Sequence, residues 1–286
     1  MDVDPKPNVE FERSADAESA DCPSLTIEQA IANLQQREDL GQRYYAAWWL
    51  GKFRVRQPEA IEALLEALDD EADRTPDGGY PLRRNAATAL GKLGDRRAVP
   101  PLIRCLDCED YYVRESAAQG LEMLGDAAGI PALIKLLDGG VEAAVAFPGK
   151  PHLVQPYGAI LEALGTLQAT DAISLIQPFL EHPVEKVRYS AARALYQLTK
   201  EPLYGEKLKE ALLDDSLQLR RSVLMDLGAI GYLPAAEAIA QTLAENSLKL
   251  IALKGLLEYE LTHGESQFPE LSRESLRVAS LMDGLL

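Results

Sequence analysis

An all-α fold, a right-handed superhelix of about seven stacked helical hairpins, is what this chain predicts, on three observations. Seven times a basic or ring-bearing residue stands seven positions before a leucine: Arg43 to Leu50, Arg83 to Leu90, Arg114 to Leu121, Tyr157 to Leu164, Arg188 to Leu195, Arg220 to Leu227 and Lys249 to Leu256. The spacing from one copy to the next returns to about 31 residues, and a fixed period of this length means a repeat array. Apolar residues recur at helical spacing ahead of the copies, so each unit resolves into two helices joined by a turn.

The first helices include Glu59 to Leu68, Ala98 to Leu106, Gly129 to Leu137, Ala172 to Leu180 and Pro234 to Leu243. The second helices carry the basic residue, a small pair and the leucine. Several close on Leu-Gly, where glycine suits a left-handed C-cap, and Asp or Pro opens the next unit. Ala46 with Ala47, Ala86 with Ala87, Ala117 with Ala118 and Ala191 with Ala192 would let neighbouring helices approach closely, since larger side chains force a stack apart. Acidic residues precede the second helices, among them Asp69, Asp70, Asp107, Asp110, Asp214 and Asp215. A ladder of Asp to Arg pairs between neighbouring units is the expected structural use of both charges.

The solenoid is expected over residues 24–264, between a disordered acidic tail over 1–23 and a C-terminal extension of one helix over 265–286. The tail lacks the apolar stretch of a signal peptide, and no apolar run is long enough to span a bilayer, so a cytoplasmic protein with no membrane insertion is expected. Lys plus Arg number 29 against 45 Asp plus Glu, a net charge of -16. That balance disfavours a nucleic-acid groove, which needs clustered basic side chains. Cys105 and Cys108 form a CxxC with no second ligand pair for zinc, so they read as a helix residue and a turn residue, and no metal or cofactor is expected.

Two units break the period. Leu50 to Leu90 spans 40 residues and Leu121 to Leu164 spans 43, so insertions of about 9 and 12 residues fall between first and second helices and should share one rim of the solenoid. Tyr80 and Tyr111 each stand three residues before their unit's arginine, either as neighbours on that rim or as staples at the entry of the second helix. His152 lies in the longer insertion and is a candidate ligand contact, whereas His182 and His263 read as surface residues.

The first unit holds the sharpest anomaly, Tyr44-Tyr45-Ala46-Ala47-Trp48-Trp49. Tyr44 and Trp48 align with positions that are polar in most other copies, and at i and i+4 they share one helix face, which suggests a binding surface. Tyr45 and Trp49 align with small residues and are expected to close the end of the core or to meet a partner subunit. No nucleophile elbow, phosphate-cradling glycine loop or HExxH is present. Any enzyme built on this scaffold works mostly by holding its reactants.

The repeat pattern resembles HEAT repeats, and the run from Tyr44 to Val55, with the segments around Arg83 and Arg114, resembles the E subunit of the E/F-type phycobilin lyases over almost the whole chain. The resemblance implies a heterodimer with an F-type lyase subunit. It also implies attachment of an open-chain tetrapyrrole, phycocyanobilin as substrate, through a thioether to a cysteine of the phycocyanin alpha subunit. A HEAT adaptor that binds phycobiliproteins without chemistry is the alternative from another class. On chemical grounds Tyr44, Trp48, Tyr80 and Tyr111 are expected to flank the pyrroles, with His152 nearby, while Arg84 and Lys150 suit the propionates and Asp110 is the candidate for pyrrole NH binding or proton transfer.

Overall fold

The computed structural model describes residues 25–263 and 271–286; the expected tail over 1–23 and the start of the C-terminal extension lie outside the described residues. α1 (Ile27–Gln35) opens on a capping box, with Thr26 accepting from the Gln29 amide and the Gln29 side chain accepting from the Thr26 amide, and pairs with α2 (Leu40–Lys52). The next hairpins are α3 (Pro58–Ala67) with α4 (Pro81–Leu93) and α5 (Val99–Cys105) with α6 (Tyr111–Leu124). α7 (Ile130–Lys135) reaches α9 (Tyr157–Thr166) through an insertion that contains the single turn α8 (Gly140–Ala143). α10 (Ile173–Ile176) runs on as a 3-10 turn into α11 (Glu185–Thr199). α12 (Pro202–Glu210) with α13 (Leu217–Ile230) and α14 (Ala236–Gln241) with α15 (Asn246–His263) complete seven hairpins, and α16 (Arg273–Asp283) packs on α14 and α15. The fold is therefore the expected all-α solenoid.

Second helices stack directly on one another, α2 on α4, α4 on α6, and so on to α15. The alanine pairs Ala46 with Ala47, Ala86 with Ala87, Ala117 with Ala118 and Ala191 with Ala192 are fully buried. Glycine sets the closest approach: a Cβ added to Gly91 would lie 2.7 Å from Cα of Gly120, and one added to Gly228 2.8 Å from Cα of Ala252. Leu-Gly thus has two uses. Inside the helix it lets the stack close, and at the end, as at Gly94 (φ 77°), it supplies the left-handed cap.

The repeated basic residues hold carbonyls rather than the expected aspartates. Arg114 donates to Cys108 O at 2.6 Å and Glu109 O at 3.0 Å, Arg188 to His182 O at 2.9 Å and Pro183 O at 3.0 Å, and Lys249 to Ala240 O at 3.2 Å. First helices end with unpaired carbonyls, and a fork of N–H donors satisfies them without needing a buried carboxylate. Arg43 is an exception that uses both, donating to Leu34 O at 3.0 Å and to Asp70.

The two insertions do emerge on the same rim. Between them sits the start of α6, to which both are tied: Tyr80 N donates to its cap Asp110, and Arg114 in its first turn donates to Val154 O at 2.9 Å. His182 corrects a surface assignment, being 1% exposed, with Nε2 2.7 Å from Ala144 O and Nδ1 accepting from the Val184 amide at 3.0 Å. Its ring fastens the longer insertion to the following turn.

Candidate functional site: an aromatic rim

The start of α6 and the longer insertion build an aromatic cleft. Backbone pairing of Phe147 N with His152 O at 2.9 Å and of Val154 N with Val145 O at 3.0 Å closes residues 145–154 into a small hairpin, with Gly149 at φ 74° near its tip. That hairpin lays His152 on Tyr111 with ring centroids 4.1 Å apart and planes inclined by 16°. Tyr112 meets both rings edge-on, at 5.2 Å from Tyr111 and 5.8 Å from His152, and Phe147 lies 5.8 Å from His152. Burial pushes the Tyr111 phenol up to about 12, so it stays protonated near neutrality.

Cations frame the rings. The Arg84 guanidinium lies 5.2 Å from the Tyr112 ring centre, and exposed Lys150 lines the same cleft of about 530 Å³. Four of the expected residues, Arg84, Tyr111, Lys150 and His152, are thus brought together. Tyr112 and Phe147 belong with them and escaped sequence reasoning; Tyr112 had a signal, its place beside Tyr111 at the start of a second helix.

Two assignments are corrected. Tyr80 is 6% exposed, covered by the Arg83 guanidinium at 4.2 Å and donating its hydroxyl to Glu109 at 3.1 Å, so its ring belongs to the wall of the rim rather than to its face. Asp110 caps α6 by accepting from the Tyr112 amide at 2.8 Å, and its other oxygen accepts from the Tyr80 amide at 2.7 Å. Each carboxylate oxygen accepts from a backbone amide, which makes Asp110 a residue that positions the turn.

The first hairpin presents a second ring pair. Tyr45 (52% exposed) and Trp48 (42%) face outward with centroids 5.5 Å apart, and Lys52 Nζ lies 4.5 Å above Trp48. Tyr44 and Trp49 are half-buried against the core. Trp48 therefore lies as expected, while Tyr44 and Tyr45 exchange roles. Arg43, Ala46, Ala47 and Leu50 define the inward direction, and at about 100° per residue Tyr45 and Trp48 fall opposite it while Tyr44 and Trp49 fall at the sides. Trp48 borders Asn85, Thr88 and Lys92 of α4, and Thr88 Oγ donates to the carbonyl of Arg84 one turn away.

Further along the second helices, Arg193 of α11 gathers carboxylates from three others: Glu122 at 2.8 Å, Glu162 at 3.1 Å and Asp226 at 3.3 Å. Burial, and then the neighbouring Glu162 and Glu122, push the Asp226 carboxyl well above the usual carboxylate range against the pull of Arg193.

Comparison with known proteins sets this geometry in a family. The chain matches the HEAT repeats model over residues 76–146 and 156–228 and the PBS lyase HEAT-like repeat model over 42–70. It is 66% identical over 264 residues to phycocyanobilin lyase subunit alpha of Nostoc sp. PCC 7120, covering 92% of this chain and 95% of that relative. The chain belongs to the phycocyanobilin lyase alpha-subunit family. A more distant relative, the bilin biosynthesis protein PecE of Mastigocladus laminosus, is 46% identical over 261 residues, 86% of each chain. Among solved structures, the complex of CpcE and CpcF of phycocyanin lyase from Nostoc sp. PCC 7120 matches with a TM-score of 0.87 and 63% identity, covering 98% of this chain and all of that one. Among the described residues no helix is long and apolar enough to cross a membrane.

Proposed function

We propose that this chain is the alpha-type half of a two-subunit phycocyanobilin lyase, acting with an F-type HEAT subunit to join phycocyanobilin to a cysteine of the phycocyanin alpha subunit. The observation that carries the proposal is the identity to lyase alpha subunits along nearly the whole chain, including the relative solved with CpcF. In the reaction the acceptor's sulfur adds to the bilin's ethylidene carbon, a C–S bond forms as the double bond opens, and the thiol proton ends on the ring system. Nothing leaves, so no energy-rich cofactor is needed.

What such an addition requires is a bilin held in one conformation and a thiol brought to one carbon, and orientation of this kind contributes up to about 7–11 kcal/mol. The rings of Tyr111, Tyr112, Phe147 and His152 are suited to one stretch of the conjugated system, and Tyr45 with Trp48 to another, Tyr44 lying behind them. Arg84 and Lys150 are suited to the propionates, Arg84 because its fork matches a carboxylate. Asp110 and Tyr80 hold the turn from which Tyr111 and Tyr112 project.

Co-expression of the chain with an F-type subunit, a phycocyanobilin source and apo-phycocyanin alpha subunit tests this. Colour that stays on the alpha subunit under denaturing conditions, only when both lyase subunits are present, is the expected result. Equal colour without this chain would overturn it.

A further inference from the structure

In hairpins six and seven the turn between first and second helix projects leucines into solvent. Leu106, at the end of the first helix of hairpin three, is 2% exposed; Leu213 and Leu243 are 86% and 81% exposed. In hairpin six Leu212 fills the core place at 2%, leaving Leu213 to project, and in hairpin seven Thr242 is buried with its hydroxyl donating to Leu212 O at 2.9 Å. The two turns form one rigid platform. A single guanidinium, that of Arg220, donates to Asp214 O and to Leu243 O at 3.1 and 2.9 Å.

Two leucines exposed side by side on one fixed platform make an apolar patch of the kind that marks an interaction surface. The charges around it narrow what covers it. Around the leucines Glu210 and Asp215 are exposed, whereas Arg220 is spent on carbonyls and Arg221 on Glu245, and exposed Lys186 stands at the Val184 end. An anionic membrane would be repelled, and a polypeptide whose apolar side chains are flanked by Lys or Arg would fit.

Continuity along the rim selects among polypeptides. Val184, 40% exposed at the start of α11, lines a neighbouring pocket of about 460 Å³ that shares Tyr111, Lys150 and His152 with the aromatic cleft, and its amide is bonded to the same His182 that anchors the insertion. The apolar rim thus runs from the aromatic cleft through Val184 to Leu213 and Leu243. At roughly 10 Å per packed helix layer, Leu213 lies about 30 Å and Leu243 about 40 Å from the start of α6, within the reach of one folded domain. A body whose cysteine reached the cleft would overlie the leucines. We infer that Leu213 and Leu243, with Val184 and Leu217 beside them, dock the bilin-accepting polypeptide through apolar side chains flanked by basic ones; this rests on transfer taking place at the aromatic cleft.

The test uses the lyase assembled with its F-type subunit and titrates it with apo-phycocyanin alpha subunit in the absence of bilin. A double variant Leu213→Asp with Leu243→Asp should bind the acceptor at least tenfold more weakly, with unchanged thermal melting, while Leu213→Met with Leu243→Met binds like wild type. Bilin transfer by the Asp variant should be slow at low acceptor concentration and recover at high concentration. Unchanged affinity, no measurable acceptor binding by the wild type, loss of F-type assembly, or conversion of a self-associated chain to monomer would each overturn the inference. If the wild type transfers no bilin, the lyase reading fails, and loss of acceptor binding by the Asp variant is read apart from it, as evidence on the docking face alone.

Discussion

His152 stacks on Tyr111 at 4.1 Å, although they stand 41 positions apart in the chain, because the insertion folds back over the start of α6. Replacing His152 with Ala removes one wall of the cleft without touching the core, since the hairpin remains held by Arg114 at Val154 O and Gln155. We expect His152→Ala to lower bilin transfer at least tenfold while the melting temperature stays within about 2 °C, a surface change being worth little stability. Transfer at the wild-type rate, measured with saturating acceptor, would remove the cleft from the mechanism.

Tyr45 and Trp48 should matter for function, and Tyr80 for structure. Trp48→Ala and Tyr45→Ala each take an exposed ring from α2 and should reduce bilin transfer with helical content intact. Tyr80→Ala opens a gap beneath Arg83, while Glu109 keeps its pair with Arg74, so it should cost about 2–4 kcal/mol in urea unfolding. Tyr80→Phe loses only the hydroxyl and about 1 kcal/mol. A Tyr80→Ala protein as stable as wild type, or a Trp48→Ala protein that unfolds, would reverse these assignments.

The stack itself rests on glycine. A methyl at Gly91 meets the backbone of Gly120, which cannot move aside as a flexible side chain could. Gly91→Ala should therefore destabilise by about 1–3 kcal/mol from overpacking, more than the roughly 1 kcal/mol that alanine adds to helix propensity. Urea denaturation reads the net sign, and a stabilised variant would show that α4 and α6 part easily.

How much of this was legible follows from what repeats and what does not. Arg114, Ala117, Ala118 and Leu121 recur with their neighbours' spacing, so the hairpins and their stacking could be read from period alone. The rim was legible as two overlong intervals, but its content was not. That His152 would land on Tyr111 depends on backbone pairing of Phe147 with His152, a non-local closure that leaves no periodic trace. Tyr44 and Tyr45 exchange roles because the helix's own inward direction, fixed by Arg43, Ala46, Ala47 and Leu50, overrides the alignment to polar positions in other units. His182 looked like a turn residue because its partner, Ala144 O, belongs to an insertion that no other unit has.

The cluster around Arg193 makes a prediction about pH. Three carboxylates, Glu122, Glu162 and Asp226, face one guanidinium, so at full ionisation negative charge is in excess where side chains are largely buried. Asp226, pushed up first by burial and then by Glu162 and Glu122, binds its proton more tightly folded than unfolded. A group raised in the folded state contributes stability that is complete below its unfolded value and is lost as pH rises through the folded one. Asp226→Asn mimics the protonated form at every pH and leaves Arg193 two carboxylates. Its melting temperature relative to wild type should therefore climb from near zero at about pH 4, around the unfolded value, to a gain of about 2–4 °C at about pH 7 and level off above, the shift roughly 1 kcal/mol produces in a chain of this size. A difference that stayed flat or fell over that range would mean that Asp226 is already ionised in the folded protein and that Arg193 holds all three charges without strain.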